Sequence, residues 1–201
     1  IILLLFSILL SFLIVKNFDT NFLLNTILIS SALYLFLITL RDFFIKKYNN
    51  LSQNIAHFGF SLLILSIIFN NLFSTEIITN LKVGETFKSE TTKIVFEGIN
   101  QKKEKNYQSI IGNFSIQNSK GKIENMSPEL RIYNQPNIVT SEADIKTTLI
   151  SDTFIVINLV QNQDYFNVRY QVKPFMIWIW ISVVLISFGG LISFIKKKYE
   201  K

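Results

Sequence analysis

AHFGFSLLILSIIFNNLF, residues 56–73, is an apolar run with no Asp, Glu, Lys or Arg, and directly after it long apolar runs give way to short mixed ones. That change of pattern decides the fold. A helix needs roughly 20 predominantly apolar residues to cross about 30 Å of hydrocarbon. Two further stretches meet that test, residues 22–40 and PFMIWIWISVVLISFGGLISFI, residues 174–195. A fourth run, residues 1–15, is apolar from its first residue and has no basic segment before it of the kind that opens a signal peptide. It reads as the tail of a longer span, so the expectation is a chain that begins inside a larger or split protein. The last two of four spans then bracket a polar segment.

The composition agrees with a membrane protein, since 49% of the residues are hydrophobic and 19 are Phe. The net charge of +6 raises the possibility of a nucleic-acid partner, and its distribution argues against one. Residues 74–173 carry 12 Lys+Arg against 11 Asp+Glu, whereas the remainder carries 8 against 3. The polar segment therefore lacks a basic stripe to neutralise phosphates. Arg41, Lys46 and Lys47 lie between the second and third spans, and Lys196, Lys197, Lys198 and Lys201 follow the fourth. This is the pattern of loops retained in the cytoplasm, and it predicts that the polar segment lies on the opposite side. With no cysteine, that segment has to bury a core of its own.

Within residues 74–173 the apolar residues alternate or form short β-branched runs between turn residues, which predicts antiparallel strands at 92–99, 107–117, 122–133, 153–160 and 165–172. Asn118-Ser119-Lys120-Gly121 and Gln161-Asn162-Gln163-Asp164 read as hairpin turns, with Gly121 free to take positive φ. Residues 136–146 are less regular, and Thr140-Ser141 ahead of Glu142 and Asp144 predicts a short helix start. The expected fold is a set of membrane α-helical spans with an inserted extracytoplasmic all-β domain, a small sandwich or partly open barrel. Its expected divisions are three transmembrane helices over 1–73, the first truncated; a β-rich domain over 74–173; and a final helix with a basic cytoplasmic tail over 174–201.

His57 is the sole histidine and stands one residue into a span. An ionisable side chain inside a span needs a partner to offset its burial, which makes it a functional candidate. Neutral imidazole is a common metal ligand and serves as an axial ligand to haem iron. Ala56 and Gly59 are small neighbours that would let a flat porphyrin approach. The competing reading is an interfacial histidine bonded to water or to Gln53 one turn back. A bis-histidine haem needs two imidazoles, so a second ligand has to come from another chain region, a partner chain or a symmetry mate.

Trp178 and Trp180 sit at the start of the last span, where indole rings settle at the headgroup level. Gly189, Gly190 and Ser193 form a small-residue face suited to tight helix packing. Arg131, Tyr133, Arg169 and Tyr170 could line a surface of the β domain, or simply populate the solvent face of a sheet. No paired carboxylates, Gly-rich phosphate loop or nucleophile elbow is present, which leaves hydrolase and nucleotide chemistry without a foothold.

Several of these segments together resemble the C-terminal part of the CcmF family, the membrane haem lyases of cytochrome c maturation. They are Ala56-His57-Phe58-Gly59; Ser127-Pro128 through Arg131 and Tyr133; Thr140-Ser141-Glu142-Ala143-Asp144-Ile145; and Ser151-Asp152 leading into Thr153-Phe154-Ile155-Val156. Val168-Arg169-Tyr170 to Lys173-Pro174-Phe175, with Trp178-Ile179-Trp180, is the most specific piece, and Gly189-Gly190 and a basic tail complete the set. Order and spacing agree from about Asn54 to the end.

The resemblance implies that His57 corresponds to one of two family histidines that ligate a haem b among the spans. That haem is thought to keep a second, externally held haem reduced while its vinyl groups are joined to apocytochrome cysteines. It further implies a bacterial or mitochondrial inner-membrane location with the C-terminus on the cytoplasmic or matrix side. The implied partners are the N-terminal part of the lyase with its Trp-rich segment and second axial histidine, a haem chaperone, apocytochrome c and its thiol-reducing partner. That Trp-rich segment, two external histidines and the other intramembrane histidine are absent from this sequence, so the chain alone is not expected to present haem. Two other readings stand beside this one: a non-enzymatic membrane-tethered binding or sensory domain, and a ResB-type protein of the other cytochrome c maturation route.

Overall fold

The computed structural model describes residues 1–16, 21–45, 51–118, 121–160 and 163–199. Lys46, Lys47 and Lys201 of the basic flanks, Ser119-Lys120 and Gln161-Asn162 of the two expected turns, and the side chains of Lys197 and Lys198 lie outside the described residues. The chain divides into two compact units, Ile1–Phe73 with Pro174–Lys201, and Ser74–Lys173.

The first unit contains four helices, α1 (Ile2–Val15), α2 (Phe22–Ile45), α3 (Leu51–Phe73) and α4 (Met176–Tyr199). The last three are long and apolar enough to cross a membrane. Each helix packs on its neighbour in sequence, and α3 also packs on α4. Between α2 and α3 the contact is apolar around Ile29, Ala32, Leu33 and Leu65. A buried hydrogen bond of 2.9 Å joins the hydroxyls of Thr39 and Ser61 there. Hydroxyl pairs of this sort satisfy each other where no water can. Phe58 adds ring contacts at 5.5 Å to Phe36 and 6.2 Å to Phe43.

At the other end of α3, the amide of Asn70 donates to the Pro174 carbonyl at 2.6 Å, and the Phe69 ring meets Phe175 at 5.5 Å. Phe175 has φ of 60°, a left-handed conformation that costs a side-chain-bearing residue about 1–3 kcal/mol. The Phe69 and Asn70 contacts hold it there, which lets the chain turn sharply into α4.

The second unit is a β-sandwich. Its strands are β1 (Thr75–Leu81), β2 (Thr86–Lys88), β3 (Thr92–Lys103), β4 (Tyr107–Asn118), β5 (Ile123–Met126), β6 (Glu129–Asn134), β7 (Asn137–Glu142), β8 (Asp144–Thr147), β9 (Ser151–Leu159) and β10 (Phe166–Pro174). One sheet has the order β1-β10-β9-β8 and the other β2-β3-β4-β6-β7, with β5 paired to β4. Alternation turns Leu81, Ile155, Ile157, Val168 and Tyr170 of the first sheet toward Ile94, Phe96, Phe114, Ile116, Met126 and Leu130 of the second. Burying each large side chain stabilises the fold by about 1.5–3 kcal/mol. Phe96 and Phe114 stack at 4.3 Å in the middle, over Gly112, where a Cβ would come within 2.8 Å of the Phe114 ring.

Two expectations need correction. Residues 136–146 form no helix: they are β7 and β8, one continuous stretch that leaves the second sheet and joins the first. The cap-like Ser141 instead donates to Asn158 at 2.6 Å, and β6 and β9 supply the backbone partners. The strand expected over 122–133 is split into β5 and β6 at Ser127-Pro128, because proline has no N–H for the ladder. There the Ser127 N–H bonds the Asp144 carboxylate at 2.6 Å, and the Pro128 carbonyl accepts from Gly112. β1 and β2 carried no separate sequence signal. Gly121 does take positive φ, 76°, and Asn118 closes that turn by accepting the Lys122 N–H at 3.0 Å.

Candidate functional site

α3 presents three faces. Ser52, Ala56 and Gly59 turn toward α4: a Cβ on Gly59 would lie 3.0 Å from Ile186, and one on Gly189 would lie 2.8 Å from the Ala56 nitrogen and the Ser52 carbonyl. The smallness of Ala56 and Gly59 therefore serves helix packing and does not open the helix to a porphyrin, which corrects the sequence expectation. Of Gly189, Gly190 and Ser193, Gly189 alone lies at this contact, since a Cβ on Gly190 would meet nothing within 4 Å and Ser193 is exposed. Phe58, Ser61 and Leu65 form the second face, toward α2.

His57 belongs to the third face. Gln53, His57, Phe60, Ile67 and Asn71 follow at helical spacing, and all five are exposed. His57 lies six residues into α3, about 9 Å along the axis from its start at 1.5 Å per residue. It makes no hydrogen bond to another described residue, Gln53 included. Among the described residues no three His, Asp or Glu side chains come together as a metal cluster. The site is thus a single exposed imidazole on a mixed polar and apolar helix face, with Gln53 and Phe60, the latter 53% exposed, each one turn away. That donor set fits one axial position of a planar iron complex, and this chain's helices do not themselves enclose it. The histidine was legible in the sequence; the stripe around it appears only once the two occupied faces are known.

Trp178 and Trp180 lie in the first two turns of α4, partly and largely exposed, as interfacial rings do. Arg131, Tyr133, Arg169 and Tyr170 do not converge. Tyr170 points into the sandwich core, where burial pushes its hydroxyl above the usual tyrosine range. Arg169 lies on the outer face of the first sheet and bonds Glu76 on the neighbouring strand. Arg131 and Tyr133 lie on the second sheet, where Arg131 bridges Glu129 at 3.1 Å and Glu142 at 3.7 Å and stands 5.2 Å over the Tyr107 ring. The hydrogen bond from Arg131 holds the Glu129 carboxyl below its ordinary range.

Three long apolar helices with an all-β sandwich inserted between the last two define a multi-pass membrane protein. The family model for the CcmF C-terminal beta-sandwich matches residues 72–174, and the chain belongs to the CcmF family. The cytochrome c-type biogenesis protein CcmF of Pseudomonas fluorescens is 27% identical over 148 residues, 74% of this chain and 22% of the relative. CcmF of Haemophilus influenzae is 29% identical over 148 residues, 73% of this chain and 22% of the relative. A solved structure titled Cytochrome c Heme Lyase CcmF matches with a TM-score of 0.71 at 16% identity, over 94% of this chain and 33% of that one. At that identity the likeness is one of fold. The chain spans about a fifth of the length of the curated relatives it matches. The family match decides for CcmF over the ResB-type reading.

Proposed function

We propose that this chain forms the C-terminal part of a membrane haem lyase of cytochrome c maturation, in which His57 is one axial ligand of a haem b held among the spans. The observation that carries the reading is His57 itself, the one ring nitrogen donor on a face of α3 that neither α2 nor α4 covers. An imidazole left facing lipid is unfavourable, and ligation inside a larger bundle removes that cost. In its neutral form one ring nitrogen coordinates iron and the other keeps its proton. Phe60 and Ile67 exclude water from the same side. Haem b bound there supplies a one-electron couple for keeping a second haem reduced.

The second axial histidine and the Trp-rich segment belong to the rest of the lyase, which also closes the face that α3 leaves open. The chain acts with a haem chaperone, apocytochrome c and a thiol-reducing partner, in an inner membrane. Its sandwich lies on the extracytoplasmic side, and its last basic residues lie on the cytoplasmic or matrix side. Purified with the rest of its lyase and reduced by dithionite, the wild type gives a b-type spectrum, and His57→Ala weakens or abolishes it. An unchanged spectrum refutes the assignment.

A further inference from the structure

One end of the first sheet gathers three chain segments. Thr75 pairs with Val172, so the strand that follows α3 and the strand that precedes α4 begin and end side by side. The Lys173 ammonium lies 5.7 Å over the Phe154 ring near the start of β9, and Thr147 pairs with Asp152. The β8–β9 turn, residues 148–150, is therefore at this same end. Its polar groups bond each other: the Thr148 N–H and hydroxyl donate to the Ser151 carbonyl at 3.0 and 2.8 Å, and the Ser151 N–H donates to the Thr148 hydroxyl at 3.0 Å. What the turn projects is apolar. Leu149 is 68% exposed and Ile150 72%.

A cavity lined by Lys122, Ile123, Glu124, Asn125, Lys146 and Thr148 joins the start of β5 to this turn; Lys122 pairs with Glu124 at 2.6 Å, and Ile123 there is 61% exposed. Three exposed aliphatic side chains flanked by Lys122 and Lys146 are a poor water-facing tip and a good interfacial one. Aliphatic groups seek the acyl boundary. The chain passes to and from its spans at this very end of the sheet, since Phe73 closes α3 and Met176 opens α4.

We propose that the Leu149-Ile150 tip, with Ile123 beside it, inserts into the lipid surface as a third attachment of the β domain to the bilayer. A hairpin whose polar atoms are mutually bonded can enter the headgroup layer without leaving donors unpaired. This inference rests on the spans and does not depend on the haem reading.

The chain has no cysteine, so one introduced thiol labels uniquely. Leu149→Cys carries an environment-sensitive fluorophore on the full chain in vesicles of phosphatidylcholine and phosphatidylglycerol, with Ile150→Cys as a second position. Lys105→Cys is the control, beyond the far end of the β3–β4 hairpin, roughly 30 Å from Ile123 at 3.4 Å per residue. The expected result is blue-shifted emission at 149 and 150, quenched several-fold by spin-labelled lipids and shielded from iodide, with the reverse at 105. Iodide quenching at 149 and 150 equal to that at 105 overturns the proposal. So does shielding from both quenchers, which would mean that protein covers the tip.

Discussion

The two units treat their apolar side chains in opposite ways. In the sandwich, alternation turns them inward, and Phe96, Phe114, Ile94, Ile155, Ile157 and Leu130 are fully buried. In the helical unit, Leu23, Phe60, Leu191 and Phe194 remain more than half exposed. The sandwich completes its own core, whereas the helices, long and apolar enough to cross a membrane, leave much of their apolar surface exposed. This explains why the all-β part is recognisable as a self-contained unit, whereas the His57 face of α3 looks like any exposed helix face until its histidine is noticed.

The contrast breaks or sharpens under substitution. The largest effect is expected from Phe114→Ala, which removes a buried ring stacked on Phe96 and should lower stability by about 3–5 kcal/mol in a denaturant titration followed by proteolysis. Phe60→Ala in α3, by contrast, should leave the unfolding midpoint of this chain in detergent unchanged. An equal loss from both would erase the distinction between the units.

Next comes Gly189→Leu, whose Cβ alone would clash with the α3 backbone, with an expected loss of about 1–3 kcal/mol in thermal unfolding. Gly190→Leu, one position along and open on that side, should be silent. A silent Gly189→Leu would mean that α3 and α4 are not held at this contact.

The smallest effect concerns the edge of the sandwich. Gln171 and then Arg169 hold the Glu76 carboxyl below its ordinary range. A carboxyl depressed by folding contributes stability above its unfolded value, and that contribution fades as pH falls through the lowered folded value. The group is solvent-exposed and screened, so the effect is slight. Glu76→Gln should make the acid limb of a melting-temperature profile slightly shallower and leave the neutral value almost unchanged, and a steeper acid limb would contradict the pairing.

The spans were legible because an uncharged apolar run has few other meanings, and His57 was legible because it is the sole histidine. β3, β4, β9 and β10 were readable from alternation and β-branching. The rest depended on partners distant in sequence. β1 is a strand because β10, about ninety residues on, pairs with it, and β2 has three residues. Thr140-Ser141 looks like a helix cap only until β6 takes the backbone groups of β7. Ala56 and Gly59 looked like room for a ligand because the helix that fills it, α4, lies far along the chain.

The central claim, that His57 ligates an iron porphyrin, is tested most directly by chemical rescue. In the lyase purified with His57→Gly, the account predicts loss of the low-spin b-type signal and its return when free imidazole is added to the vacated position. A low-spin spectrum identical to wild type before any imidazole is added would contradict it.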